Sequence, residues 1–316
     1  MALIKHMGLR MAAASGLFTM ARYLTRHRVR IFAYHGVSRD VDPALNFDGF
    51  FVHPDVFEKH LRTLKGHYRV MPLSEIVQAL TEGRTLPNGA SAITFDDGYA
   101  NNYTEAAPLL ARYELPATFF VTTGFVDGTH KPWWFEIRDA GFEMRDTGYE
   151  AWCIDVEKSL KNTSSLERQR RLSDILSRIP DHASRIPSFM TWSHLRELVT
   201  QGHDIGAHTV SHISLGHESP DVVEREITES LACVRAEIGG VCPVYSYPYG
   251  EASHLTPELA DVLKENDCIG GLTTLEGMNL PGADPFQLER LNVTGRHDRY
   301  AFRALASGLT SLVKGT

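Results

Sequence analysis

Apolar positions in this chain fall into short continuous runs, separated by longer segments in which they recur every three or four residues. The runs "VRIFAYHGVS", "RVMPL", "SAITFDDGY", "ATFFVTTGF", "HDIGAH", "VYSYPYG", "CIGGLTT" and "FQLERLNVT" read as strands, most of them buried on both faces. The intervening "FEKHLRTLKGHY", "LSEIVQAL", "NNYTEAAPLLARYEL", "TWSHLRELVTQG", "SPDVVEREITESLACVRAEIG", "LTPELADVLKEN" and "DRYAFRALASGL" read as helices. This alternation predicts a parallel α/β architecture, in which reactive groups gather where strands end and loops begin. The rhythm breaks over about residues 124–188, an aromatic and then charged stretch that reads as an insertion between β/α units, too short for a confident core of its own. Residues 1–28 form a separate unit, a basic amphipathic helix, and residues 29–316 make the main domain. The apolar stretch in that helix is interrupted by Ser15, Gly16 and Thr19, which suits neither a secretory signal nor a membrane span.

Composition narrows the function only a little. With 316 residues, 43% of them hydrophobic and 22% charged, the chain is of ordinary enzyme size and make-up. A net charge of −7 argues against nucleic acid as a partner. The four cysteines, Cys153, Cys233, Cys242 and Cys268, lack metal-knuckle spacing and are compatible with a reduced, cytoplasmic compartment. The basic N-terminal helix has two readings, contact with an anionic membrane face or packing on the domain.

Three strand ends carry candidate chemistry. In "ITFDDGY" a buried strand delivers two adjacent carboxylates, Asp96 and Asp97, to its C-terminal end, followed by Gly98. Like charges this close are costly unless a cation or a shared proton separates them, although an Asp that merely caps the next helix is the ordinary alternative. In "GAHTVSH", His208 and His212 stand at i and i+4, a spacing that places two imidazoles on one side of a helical turn. A carboxylate with two histidines is a donor set for a hydrolytic metal. In "SYPYG", Pro248 and Gly250 suit a turn that aims a backbone N–H into a cavity, or simply a β-turn.

Taken together and in this order, "TFDDG", "HTVSH" and "SYPYG" resemble the polysaccharide deacetylase family, the carbohydrate esterases with a NodB-homology domain. The resemblance runs from about His35 to Val293. It implies a distorted (β/α) barrel of seven strands with a mainly helical insertion, and metal-dependent removal of an acyl group from an N-acylated sugar. It implies Asp96 as catalytic base, Asp97, His208 and His212 as ligands of a divalent metal, and the backbone N–H of Tyr249 as an oxyanion donor. Zinc is the first expectation for the metal, with cobalt, nickel or manganese behind it.

The chain departs from the family pattern in two places. Many relatives begin the third motif with an arginine that pairs with the catalytic Asp; Ser246 stands there here, so that role is vacant or supplied from elsewhere. Many also have a late histidine as general acid, for which this chain offers His297, with His35 in "YHGV" as its rival. Tyr247, Pro248, Trp133 and Trp134 are candidate sugar contacts, whereas His203 and His217 read as structural. The expected substrate is an N-acetylated saccharide or lipid-linked glycan of a bacterial surface-glycan pathway, met in the cytoplasm or at the inner membrane face. The rival readings are a deformylase or other C–N amide hydrolase of the same fold, and a catalytically silent glycan-binding homologue.

Overall fold

The computed structural model describes residues 2–40, 42, 45–143, 148–178, 186–240 and 242–314. Ten strands occur among them: β1 (Arg30–Tyr34), β2 (Gly36–Val37), β3 (Phe51–Val52), β4 (Arg69–Val70), β5 (Ala90–Phe95), β6 (Thr118–Val121), β7 (Asp204–Ala207), β8 (Val244–Ser246), β9 (Gly270–Glu276) and β10 (Leu288–Asn292). Seven of them form one sheet in the order β7-β6-β5-β1-β10-β9-β8, and every pairing along that path is parallel. The two edges come back together where the Cys242 N–H donates to the Ile205 carbonyl at 2.7 Å. The sheet is thus a nearly closed seven-stranded (β/α) barrel, the fold implied by the sequence. The short strand β4 pairs with β5 outside this path, and β2 pairs with β3 in a separate ribbon.

The barrel can be read off strand alternation, because successive side chains on a strand point to opposite faces. Phe32, Tyr34, Ile93, Phe95, Phe119, Val121, Ile205, Tyr245 and Leu291 join one core cluster with residues of the surrounding helices, such as Phe57, Leu61, Leu110 and Leu195. Their neighbours Ile31, Ala92, Phe120, Val244, Leu272 and Leu288 join a second cluster inside the barrel. The helix Leu73–Thr81 packs Leu73, Ile76 and Val77 into that second cluster, next to β5 and β8, and closes the end where the strands begin. Fully burying one such aliphatic or aromatic side chain stabilises the fold by about 1.5–3 kcal/mol. Gly206 faces inward on β7, where a Cβ would stand 2.5 Å from the Phe120 ring, so Phe120 fills the space a side chain would occupy.

Between β6 and β7 the chain forms helices Thr123–Val126, Trp133–Glu143, Tyr149–Lys161 and Ser165–Leu176. Arg138 fastens this stretch to the loop before β3. Its buried guanidinium pairs with Asp48 at 2.8 Å and Glu157 at 2.7 Å and donates to the Leu45 carbonyl at 3.0 Å. At the N-terminus the single helix expected from sequence is two, Ala2–Ala14 and Leu17–Leu24, separated at Gly16 with a left-handed φ of 78°. Both pack against the helix Arg299–Ser307. All four cysteines are free thiols.

Candidate active site

At the C-terminal ends of the strands a cavity of about 430 Å³ opens. Strand alternation decides what reaches it. On β5 the inward series Ala90, Ala92 and Thr94 continues to Asp96, and on β7 Gly206 continues to His208. On β1 the series Ile31, Ala33 leads to His35; on β10 the series is Leu288, Arg290, Asn292. Asp96, His208, His35 and Asn292 all line the cavity. Asp97 should point away by the same rule, but its φ of 73° turns the chain so that both carboxylates face the same space. Gly98 follows with φ 86°, where a Cβ would press on Val121 at 3.1 Å.

Asp97 faces two imidazoles. Its Oδ1 stands 3.2 Å from His212 Nε2 and 3.5 Å from His208 Nε2, all three side chains are buried, and their donor atoms lie within 4.8 Å of one another. His208 Nδ1 is 2.7 Å from the Ser246 carbonyl, a contact that leaves Nε2 turned to the site. Burial opposes charge on Asp97, but hydrogen bonding to His208 and His212 overrides it and holds the carboxyl well below the ordinary range. Three buried donors of carboxylate and imidazole type converging on one point fit a divalent metal.

The two histidines are not on a helical turn, as their spacing suggested. They belong to an irregular loop in which Thr209 and His212 both have left-handed φ, 63° and 54°. That loop is braced by Glu226 of the helix Pro220–Ile238. One carboxylate oxygen accepts the Val210 and Ser211 N–H groups at 2.9 Å each, and the other accepts the Ser211 hydroxyl at 2.6 Å. The Tyr245 hydroxyl accepts from Thr209 N–H at 2.9 Å, and Thr209 Oγ1 from His212 N–H at 2.8 Å. Each left-handed residue costs of order 1–3 kcal/mol, so these bonds hold a conformation the chain alone disfavours.

Asp96 has a different partner. Arg290 Nη1 donates to Asp96 Oδ1 at 3.0 Å, and Nη2 lies 2.7 Å from Oδ2, with the guanidinium fully buried. Arg290 is itself fixed by donating from Nε to the Thr273 carbonyl at 2.6 Å. A guanidinium is therefore supplied to Asp96 from β10, and Ser246 gives Asp96 only a hydroxyl, which donates to Oδ1 at 3.3 Å. Burial pushes the Asp96 carboxyl up; the Arg290 charge and hydrogen bond, with His208, bring it below its ordinary value.

His35 lines the cavity with its ring 4.1 Å from that of Phe50. Burial lowers its pKa, against the pull of Asp97 and Asp96. Tyr249 lies over His212 with a left-handed φ of 61°. Trp133 and Trp134 are wall rather than open lip: both are buried, Trp133 Nε1 donates to the Tyr249 hydroxyl at 3.0 Å, and Trp134 packs on the His212 ring at 4.7 Å. Three sequence candidates fall outside. Tyr247 follows the outward residue Tyr245 by two, so it packs across Gly271 on the barrel exterior and donates to the Phe286 carbonyl. Pro248 does not reach the lining. His297 lies beyond the end of β10, where its Nδ1 accepts from the Thr294 N–H at 3.0 Å in a local turn away from the cavity.

The polysaccharide deacetylase family model matches residues 83–267, more than half of the chain. The chain belongs to the polysaccharide deacetylase family. Over 278 residues this deacetylase-family chain is 21% identical to YxkH of Bacillus subtilis (strain 168), spanning 88% of the chain and 75% of that protein. A 60-residue segment, 19% of the chain, is 35% identical to the poly-beta-1,6-N-acetyl-D-glucosamine N-deacetylase of Escherichia coli (strain K12) and covers 9% of it. Among solved structures, the Streptococcus pyogenes deacetylase PplD in complex with acetate superposes with a TM-score of 0.62 at 19% identity, over 87% of this chain and 96% of that one. IcaB from Ammonifex degensii gives 0.58 at 19% identity, over 89% and 97%. Both share the fold.

Proposed function

We propose that this protein is a metal-dependent hydrolase that removes the N-acetyl group from an amino sugar of a bacterial surface glycan or its precursor. One observation carries this reading: two adjacent buried carboxylates have separate partners, Asp97 two imidazoles and Asp96 a guanidinium. A divalent metal on Asp97, His208 and His212 would supply Lewis acidity, lowering the pKa of water and polarising the acyl carbonyl. Zinc suits a set of two imidazole nitrogens and one carboxylate oxygen.

The chain's own groups then divide the work. Arg290 keeps Asp96 ionised and aimed, so Asp96 can take the proton of the water attacking the acyl carbon. The Tyr249 N–H donates to the carbonyl oxygen as it becomes an oxyanion. His35, rather than His297, is in the cavity to give a proton to the amine nitrogen as the C–N bond breaks, releasing acetate and a free amino sugar. Trp133, Trp134 and Tyr249 give the cavity aromatic walls that suit the apolar face of a pyranose. The segment shared with the Escherichia coli enzyme, whose name specifies poly-beta-1,6-N-acetyl-D-glucosamine, supports an N-acetylglucosamine-type substrate.

The test is acetate release from N-acetylglucosamine oligomers by metal-replete and chelated protein, alongside Asp96→Asn. Release should require metal, and Asp96→Asn should keep its metal while losing turnover. Chelator-resistant release, or wild-type turnover by Asp96→Asn, would overturn the assignment.

A further inference from the structure

The two terminal segments make a surface that the catalytic site does not explain. Residues 1–28 and 299–316 together contain eight Lys or Arg and no Asp or Glu, in a chain whose 39 acidic residues all lie elsewhere. The fold brings these segments together, since both N-terminal helices pack on Arg299–Ser307, and the Arg10 and Arg299 guanidinium groups both lie over the Tyr300 ring.

The same surface is apolar where it need not be. Helix Leu17–Leu24 buries Phe18 and Ala21 against the domain. Its other side presents Met20, Tyr23 and Leu24, spaced i, i+3, i+4 and exposed by 55%, 63% and 59%. Met11 and Leu312, exposed by 70% and 43%, lie on the neighbouring helices. The helix therefore has two apolar stripes, and the fold covers one of them.

We infer that this face docks on an anionic lipid bilayer, with Met11, Met20, Tyr23 and Leu24 entering the interface and the surrounding arginines meeting lipid phosphates. Exposed apolar side chains beside cations, in segments that carry no acidic residue of their own, are the complement of such a surface, where electrostatic attraction and apolar insertion each contribute. A nucleic-acid surface would use the cations but leave the methionines and leucine idle. No helix among the described residues is long and apolar enough to cross a membrane; the docking inferred is that of a surface face. Thr25 and Arg30 tie this region to the Ser307 and Ala306 carbonyls beside the start of β1. The docking face thus lies towards the strand beginnings, away from the cavity mouth, which stays open when the face is covered.

The test is sedimentation of the full chain with phosphatidylcholine vesicles and with mixed phosphatidylcholine and phosphatidylglycerol vesicles, at low and high salt. The wild type should bind the anionic vesicles and release them in high salt. Each arginine lost near such a surface weakens binding by about fivefold, so Arg10→Glu with Arg22→Glu should reduce it by at least about 25-fold. Met20→Ser with Leu24→Ser should reduce it by about tenfold or more. Both variants should keep wild-type acetate release from soluble oligomers, which also reports that they fold; if the charge-reversed variant does not fold, the serine variant decides. Absence of wild-type binding, binding that survives both variants, or salt-sensitive binding to duplex DNA without vesicle binding would each overturn the inference.

Discussion

Replacing Arg290 with methionine tests the core of the site. The guanidinium is fully buried, and the Asp96 carboxylate, which faces the cavity on one side, is nearly so; the two are in contact at 2.7 and 3.0 Å. Removing one partner of such a pair strands the other charge, at a cost of about 3–5 kcal/mol. Asp96→Asn strands Arg290 in turn and should cost a similar amount. The double variant Arg290→Met/Asp96→Asn strands neither, so its loss should fall well short of the sum, with a coupling of about 3 kcal/mol or more for groups in direct contact. Urea unfolding of the four proteins, with metal content measured in each, supplies the cycle. The double variant should regain stability and keep metal on Asp97, His208 and His212 without regaining turnover. If Arg290→Met alone loses less than about 1 kcal/mol, or if the two losses simply add, Arg290 does not hold the base and the reasoning fails.

Further outcomes follow from the same structure. Glu226→Ala removes three hydrogen bonds from the loop between His208 and His212, so metal affinity should fall by about 10–100-fold, with turnover partly rescued by excess metal; unchanged affinity would mean the loop holds itself. His212→Ala should lower metal content outright, and full occupancy in that variant would misplace the site. Acid should destabilise the fold below neutrality. Burial lowers His60 to about 3 and His203 to about 4, so between those values and about 6.5 the unfolded chain binds protons that the folded chain does not, and stability falls with pH. By pH 5 each contributes a loss of about 2 kcal/mol, and His60→Gln should flatten the slope; equal urea midpoints at pH 7 and pH 5 would contradict this.

Much of this arrangement was legible in the sequence, and the misses share a cause. The β/α rhythm, the paired carboxylates and the two histidines could be read because short local strings carry them. Arg290 escapes a reading of the motif alone, because the motif assigns its charge to position 246, where this chain has a serine. Yet a lone basic residue in the series Leu288, Arg290, Asn292 is a signal in itself, since an arginine in an inward register must meet an anion. The same alternation would have excluded Tyr247, one step out of register from Ser246. His297 was drawn in by its nearness in sequence to β10, but the chain leaves the barrel after Val293 and turns on itself. The loop shape of "HTVSH" could not be read, because it depends on Glu226 from a helix that begins eight residues later and packs back onto it. Nothing local marked Arg138 as the fastener of the insertion, since its partners Asp48 and Glu157 are distant in sequence.

The position of Arg290 also has a consequence in time. All three candidate metal donors have been synthesised by residue 212, whereas the counter-charge of the base arrives on the last strand of the barrel, which inserts between β1 and β9. A chain still emerging from the ribosome, or one cut short before β10, can carry the metal donors and yet lack an ordered base. On the proposed mechanism, hydrolysis would be tied to the closing of the barrel, and a molecule that ends before β10 should be inactive.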